Sequence, residues 1–352
     1  MSLPNEANAL PDVLSFAPLS NGLGHVMQRR DLLRAIGAGL LWPLAARASE
    51  VARVGVLMNG IAANAAGQSY VQTFVQELSR LGRTEGRNLQ LEMRWNAGEP
   101  SLAHTYATDL VALRPDVILA SSTANLAALI DATHTIPIVF VEVADPLAQG
   151  FVSSLEHPGG NVTGFSGFRV GMAGQWLDLL KELAPDTKRV MIIFNPDTAP
   201  QSKLFLSSIT AAGRPLDLEV VPGPVRDAAD IERVMESFSH QPDGALIVPA
   251  DTFTQMRRGL FVELAARYRL PAVYFSAEFV RTGGLVAYGI DRVDMFHRAA
   301  DYVDRILRGT SPVELPVQQP TKFEFAINLK TAKALGLSVP PSMMLSADQV
   351  IE

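Results

Sequence analysis

From residue 51 onward, apolar and polar positions follow two alternating patterns. Short runs rich in Val, Ile and Leu, such as 51–58 and 136–143, are separated by stretches with apolar residues at three- and four-residue spacing, as in 70–81. Buried strands that alternate with amphipathic helices are typical of a parallel sheet covered by helices. The pattern therefore predicts the α/β class.

This strand-and-helix pattern occurs twice along the chain, which predicts two similar lobes. A length of 352 residues also exceeds what one hydrophobic core usually organises. The predicted strands are 51–58, 89–95, 115–121, 136–143 and 161–165 in the first half, and 189–194, 217–221, 244–249, 271–275 and 285–291 in the second. The predicted helices are 70–81, 101–112, 124–132, 172–183, 201–212, 228–239, 255–268, 293–308 and 328–336.

The late elements exceed what a second five-stranded sheet needs, so we expect the chain to cross back into the first lobe and return. Several crossovers between two lobes form a hinge. The predicted organisation is an N-terminal extension with a signal peptide (1–48), lobe 1 (49–164 with 285–310), lobe 2 (165–284 with 321–352) and a crossover segment (311–320).

The segment 27–48 predicts export. It contains a basic start with Arg29 and Arg30, an apolar run of about ten residues and an A-x-A cleavage site that ends at Ala48. The apolar run is too short to span a bilayer as a helix. We expect Met27 to be the start and cleavage to occur near Ala48, by the Sec or the twin-arginine route.

Composition excludes several classes of protein. The chain has no cysteine, which excludes disulfides, thiolate metal sites and a lipid-modified cysteine, so an exported form is free in a periplasm. The net charge is −6 and no basic cluster is suited to nucleic acid. The six histidines lack metal-ligand spacing, and neither a G-x-S-x-G elbow nor a phosphate-binding loop occurs. We therefore expect no metal, no cofactor, no catalytic residue and no enzymatic activity.

Three stretches resemble a single family: 137–165, which contains DPLAQG and HPGGNVTGF; 283–291, GGLVAYGID; and 321–352, which contains INLKTAKALGL. They resemble the substrate-binding proteins of ABC transporters of the tryptophan/tyrosine-import type. The resemblance implies a type 1 periplasmic-binding clamshell, with two Rossmann-like lobes, parallel sheets and a three-strand hinge. It also implies that the ligand is a small amino acid or similar molecule, with aromatic amino acids as the first choice. The implied partners are an inner-membrane permease and its ATPase. We expect a monomer.

Two alternatives share this fold. A solute-sensing transcription regulator would need a helix-turn-helix at one end, where the export signal stands instead. An exported sensor subunit that docks on a membrane receptor remains open.

Candidate ligand-binding residues follow the predicted strands, because ligands of open α/β sheets bind beyond the carboxyl ends of the strands. Hydroxyls and helix-start amides at 121–124 suit a carboxylate, Asp251 suits an ammonium, and Tyr288 suits an aromatic wall. Helix capping, turn formation and core packing are the structural alternatives for these residues. The candidates are Asn59, Ser121, Ser122, Thr123, Glu142, Asp145, Asn195, Asp251, Ser276, Glu278, Tyr288 and Asp291.

Overall fold

The computed structural model describes residues 51–169 and 171–352, which form two α/β lobes. The extension and signal peptide predicted for 1–48 lie outside the described residues. None of the helices in this part of the chain has both the length and the hydropathy of a transmembrane helix.

The smaller lobe is built on a five-stranded parallel sheet with the strand order β2-β1-β3-β4-β5. Its strands are β1 (Ala52–Met58), β2 (Leu89–Trp95), β3 (Val117–Ser121), β4 (Ile138–Ala144) and β5 (Val162–Phe168). Three helices connect them: α1 (Ala65–Arg80), α2 (Pro100–Ala112) and α3 (Thr123–Ala132). Helices cover both faces of this sheet, which is why β3 is a continuous run of buried residues.

The larger lobe contains a seven-stranded sheet with the strand order β12-β11-β10-β9-β8-β6-β7. Its strands are β6 (Arg189–Phe194), β7 (Glu219–Pro224), β8 (Gly244–Val248), β9 (Ala272–Tyr274), β10 (Val286–Ile290), β11 (Phe323–Asn328) and β12 (Gln349–Ile351). The later helices are α4 (Gly171–Leu183), α5 (Ser202–Gly213), α6 (Ala228–Ser239), α7 (Thr252–Met256), α8 (Arg258–Arg267), α9 (Ala277–Arg281), α10 (Arg292–Leu307), α11 (Leu329–Leu335) and α12 (Pro341–Ser346). Short 3-10 turns occur at Arg214–Leu216 and Pro312–Glu314.

Within residues 51–169 and 171–352, the chain passes between the lobes three times. It leaves the smaller lobe after β5 and returns between β10 and α10, because α10 packs on α1, β3 and β4. Gln318 then hydrogen-bonds alongside β5, where Ser166 N donates to its carbonyl (2.8 Å) and its own N–H donates to Gly164 O (2.9 Å). The third passage leads into β11. These three connections agree with the predicted hinge.

The structure places two segments differently from the predicted lobe boundaries. The range 285–310 was predicted to belong to lobe 1, but its strand β10 pairs with β9 and β11 in the larger sheet and only α10 packs on the smaller lobe. The strand β5 continues to Phe168 in the smaller sheet, past the predicted boundary at residue 164. Strand pairing depends on partners that are distant in sequence, so local patterns could not locate these boundaries.

Several short elements were not predicted. The larger sheet has seven strands instead of five, because β11 pairs antiparallel with β10 and β12 pairs parallel with β11. The helix predicted at 255–268 is two helices that meet at Arg257. Elements of three to six residues carry too little periodicity to stand out in the sequence.

Candidate functional site

A cleft of about 750 Å³ is lined by residues of both lobes. On the smaller lobe its walls include the ends of β1, β3 and β4, and on the larger lobe they include the residues that follow β8 and β9. The carboxyl ends of parallel strands in both lobes therefore face one space, which is where ligands of α/β sheets bind.

The start of α3 forms one wall of the cleft. Ser122 caps this helix by accepting a hydrogen bond from Asn125 N (3.3 Å), and it has a φ of 89°, which is costly for a residue with a side chain. The amide of Asn125 is fully buried and donates to Ser121 O (2.7 Å) and Leu57 O (3.2 Å), which ties the helix to β1 and β3. A rigid helix N-terminus in a cleft suits an anionic group.

Arg292, the first residue of α10, links acidic side chains from both lobes. Its Nε lies 2.7 Å from Glu142 Oε1 on the smaller lobe, and its NH1 lies 3.8 Å from Glu278 Oε1 on the larger lobe. Ser121 Oγ donates to the other oxygen of Glu142 at 2.8 Å. The three charged side chains are 10–19% exposed. Because one cation faces two carboxylates, this cluster has a surplus of negative charge that suits a cationic group of a ligand.

Two aromatic rings lie beside the Arg292 guanidinium: the ring centroids of Tyr70 and Phe275 are 5.8 Å and 5.0 Å from its central carbon. Burial raises the pKa of Tyr70 to about 12; Arg292 opposes this shift and the nearby carboxylates add to it. Burial alone would lower the pKa of Arg292, but attraction to Glu142 and the other acidic neighbours raises it above its ordinary value. The arginine is therefore a permanent cation with two aromatic rings beside it.

Asp251 is the buried carboxylate of the larger lobe's wall. It caps α7 through Phe253 N (3.0 Å), and it also accepts from Asn195 N (2.9 Å) and Thr198 Oγ1 (2.7 Å). Burial raises its pKa above the ordinary value although these donors act in the opposite direction. Thr252, the next residue, contacts Asn59 across the cleft.

The structure brings part of the predicted ligand-binding set together in the cleft. These residues are Asn59, Ser121, Ser122, Thr123, Glu142, Asp251 and Glu278. They come from the ends of β1, β3 and β4, from the N-cap of α7 and from α9. Their binding role stays a prediction.

The structure places the remaining predicted residues outside this cleft: Asp145, Asn195, Ser276, Tyr288 and Asp291. Asp145 accepts from a backbone N–H three residues on (3.0 Å) and Asn195 from one two residues on (2.8 Å), so both stabilise turns. Ser276 and Asp291 cap the starts of α9 and α10. The ring of Tyr288 stacks on the ring of Phe323, with 5.3 Å between centroids. The structural alternative for each residue accounts for its position.

The cleft residues that sequence reasoning missed include Tyr70, Gln255 and Arg292. They lie on helices, and no local pattern shows which helix side chains face the opposite lobe. Arg292 carried one usable signal, because a cation in the first turn of a helix opposes the helix dipole and needs a compensating partner.

Comparisons with known proteins agree on one family. The sequence model of the family described as ABC transporter substrate binding protein matches residues 56–351. A tyrosine-binding protein of Clostridioides difficile is 28% identical over 277 residues, which is 79% of this chain and 78% of that protein.

Two crystal structures are similar to the fold. A conserved domain protein from Vibrio cholerae superposes with a TM-score of 0.79 at 27% identity, over 86% of this chain and 100% of that chain. An ABC domain from Streptococcus pneumoniae in complex with L-Trp superposes with a TM-score of 0.76 at 25% identity, over 85% of this chain and 99% of that chain.

Proposed function

This chain belongs to the family of ABC transporter substrate-binding proteins, and we propose that it captures an amino acid, first of all an aromatic one, between its lobes. The related proteins are solute-binding proteins and not enzymes, so the chain is not an enzyme. The observation that carries the proposal is a cleft that presents a helix N-terminus on one lobe and buried carboxylates on the other. The relatives that bind tyrosine and L-Trp support the choice of ligand.

The ligand's carboxylate binds at the start of α3. Ser122, Thr123 and Ala124 line the cleft there, and α3 has ten residues, long enough to carry a dipole. A carboxylate at a helix N-terminus is stabilised by the first backbone N–H groups of the helix.

The ligand's ammonium binds to the acidic side chains of the cleft. Glu278 is the leading candidate. Arg292 lies closer to Glu142 (2.7 Å) than to Glu278 (3.8 Å), so the charge of Glu278 is the less completely neutralised of the two. Asp251 is the second candidate, although three donors already occupy its oxygens. Enclosing the ammonium between the lobes is favourable only if a carboxylate of this kind pairs with its charge.

The lobes bend about the three connections to enclose the ligand, and a membrane permease with its ATPase then accepts it from the closed form. Two-lobed binding proteins close in this way when the ligand has a higher affinity for the closed state than for the open one. The family supports this transport role. The export signal predicted at 27–48 supports a periplasmic location.

The proposal is tested by titrating the purified full chain with the twenty amino acids and with sugars, and by measuring thermal stability and heat of binding. Aromatic L-amino acids are expected to raise the melting temperature most, since a ligand of the native state stabilises it by mass action. Tryptamine, which lacks the carboxylate, and indolepropionate, which lacks the ammonium, are expected to bind at least tenfold more weakly than tryptophan, in line with loss of a charged hydrogen bond worth about 1.5–3 kcal/mol. A sugar as the only binder would overturn the proposal.

A matched pair of variants tests the position of the ammonium. Glu278→Gln is expected to weaken amino-acid binding at least tenfold, because it removes the negative charge without shortening the side chain. Glu263→Gln, which changes an exposed carboxylate on α8, is expected to leave affinity unchanged. Equal affinities for the two variants would exclude Glu278 as the ammonium partner.

Export and delivery need cell-based measurements. Deletion of 27–48 is expected to leave the protein in the cytoplasm on fractionation and to abolish uptake of the labelled amino acid. Uptake that persists in cells lacking the chain, together with a loss of signalling, would favour a sensor role over transport.

A further inference from the structure

Gln201 contains a buried amide oxygen to which no residue in 51–169 or 171–352 donates a hydrogen bond. The side chain lines the cleft and is only 8% exposed. Its nitrogen Nε2 donates to Ala250 O at 3.0 Å. That bond identifies which end of the amide is the nitrogen, so the other end, Oε1, is an acceptor without a donor.

A buried acceptor without a donor is destabilising, and buried polar atoms in folded proteins nearly always have a partner. A second such oxygen, Gln255 Oε1, belongs to another residue that lines the cleft, and Gln255 Nε2 donates to Glu278 Oε2 at 2.6 Å. Both oxygens are on the larger lobe. This wall of the cleft therefore matches a ligand that brings hydrogen-bond donors.

Gln201 borders a cluster of buried aromatic rings. It is the residue before α5, and Phe205 lies one helical turn further on, so the two side chains share a face of the helix. The Phe205 ring packs edge-on against Phe168, with 4.8 Å between centroids. Both Gln201 and Phe205 line the cleft.

The residues of the smaller lobe that line the same cleft include the two small residues Ala144 and Gly167. The side chains on this part of the wall therefore take up little of the cleft.

We propose that Gln201 determines ligand specificity by accepting a hydrogen bond from the ring of the ligand, an indole N–H or a phenol O–H. The inference rests on the proposed capture of an aromatic amino acid. The ring packs against Phe205 while its N–H or O–H donates to Gln201 Oε1. A ring without a donor leaves the acceptor unpaired when the cleft closes, and a site built around such a hydrogen bond rejects that ligand.

The test compares ligands of equal shape on the full chain by titration calorimetry. L-tryptophan is compared with benzothienylalanine, in which sulfur replaces the indole N–H, and L-tyrosine with L-phenylalanine. The ligand with the ring donor is expected to bind about tenfold or more tightly within each pair. In Gln201→Met, which keeps the length of the side chain but loses the acceptor, this preference is expected to disappear.

Gln255→Met is the matched control, because it removes the other unpaired oxygen and is expected to keep the preference. Loss of the preference in Gln255→Met and not in Gln201→Met would overturn the assignment to Gln201. Equal binding of the paired ligands to the unaltered protein would overturn the inference, even if Gln201→Met failed to fold, and would leave the proposed function standing. Binding of non-aromatic amino acids alone would likewise overturn only the inference. No binding of any amino acid would overturn both.

Discussion

The phenol of Tyr70 on the smaller lobe donates a hydrogen bond to Glu278 on the larger lobe, with 3.2 Å between the two oxygens. The second oxygen of Glu278 accepts from Gln255 at 2.6 Å. Opening of the cleft must break the hydrogen bond between Tyr70 and Glu278, but it leaves the bond between Gln255 and Glu278 intact. The carboxylate therefore stays oriented by its own lobe while the Tyr70 bond depends on the distance between the lobes.

The raised pKa of Tyr70 predicts a loss of stability at alkaline pH. Because its folded-state pKa of about 12 exceeds the ordinary value of about 10, the tyrosine's contribution is complete below pH about 10 and is lost as pH rises towards about 12. Over this window the free energy of unfolding is expected to fall by about 2 kcal/mol more in the unaltered protein than in Tyr70→Phe. Urea denaturation across the window measures both slopes, and parallel curves would contradict the prediction.

Replacement of Arg292 is expected to be strongly destabilising. Arg292→Gln removes the cation that lies between Glu142 and Glu278, and leaving buried charges without a partner costs about 3 kcal/mol. The control is Arg267→Gln, which breaks an exposed pair on α8 and is expected to cost less than about 1 kcal/mol. Chemical denaturation measures the free energy of unfolding of both variants. Similar decreases in the two would show that the Arg292 cluster stabilises the fold no more than an exposed ion pair does.

The buried amide of Asn125 is expected to hold the start of α3 in place against β1 and β3. Asn125→Leu keeps the approximate volume but leaves the carbonyls of Leu57 and Ser121 without their donor, which predicts a loss of about 3 kcal/mol. Gln90→Leu, at an exposed position on β2, is expected to change stability by no more than about 0.5 kcal/mol. Denaturation midpoints measure both changes. A loss in Asn125→Leu no larger than that in Gln90→Leu would show that other contacts hold the helix in place.

Two glycines predict opposite outcomes for the same substitution. Gly167→Ala forces a Cβ against the backbone of Glu142 and is expected to destabilise the fold by about 2 kcal/mol. Gly174, within α4, has open space around it, and Gly174→Ala is expected to stabilise the fold by up to about 1 kcal/mol because alanine favours the helix. Thermal unfolding of both variants tests the pair, and the reverse order of stability would refute the packing argument.

The elements best predicted from the sequence carry their own signals. The strands Leu89–Trp95 and Arg189–Phe194 and the helix Ala228–Ser239 have the predicted bounds. Alternation marks the first, a β-branched run marks the second, and an Asp227 cap with a strong apolar face marks the third. In contrast, the strand Phe323–Asn328 was not predicted, and its partners β10 and β12 are distant in sequence or short.

Some residues of the candidate site could be predicted from the sequence and others could not. Residues at strand ends, such as Ser122 and Asp251, could be predicted because parallel strands direct their carboxyl ends towards one edge. The cleft position of Tyr70 could not be predicted, because the packing of the lobes decides which helix side chains reach the cleft. Tyr288 was predicted from its strand position, but side chains alternate across a sheet and its ring faces Phe323.

The three passages between the lobes also govern the order of assembly during synthesis. The smaller lobe lacks α10 until residue 307 has emerged, and the larger sheet lacks β11 and β12 until nearly the whole chain is available. Neither half can therefore complete its core as an independent N-terminal domain, and a ribosome-bound chain truncated after Ile290 is expected to remain sensitive to protease.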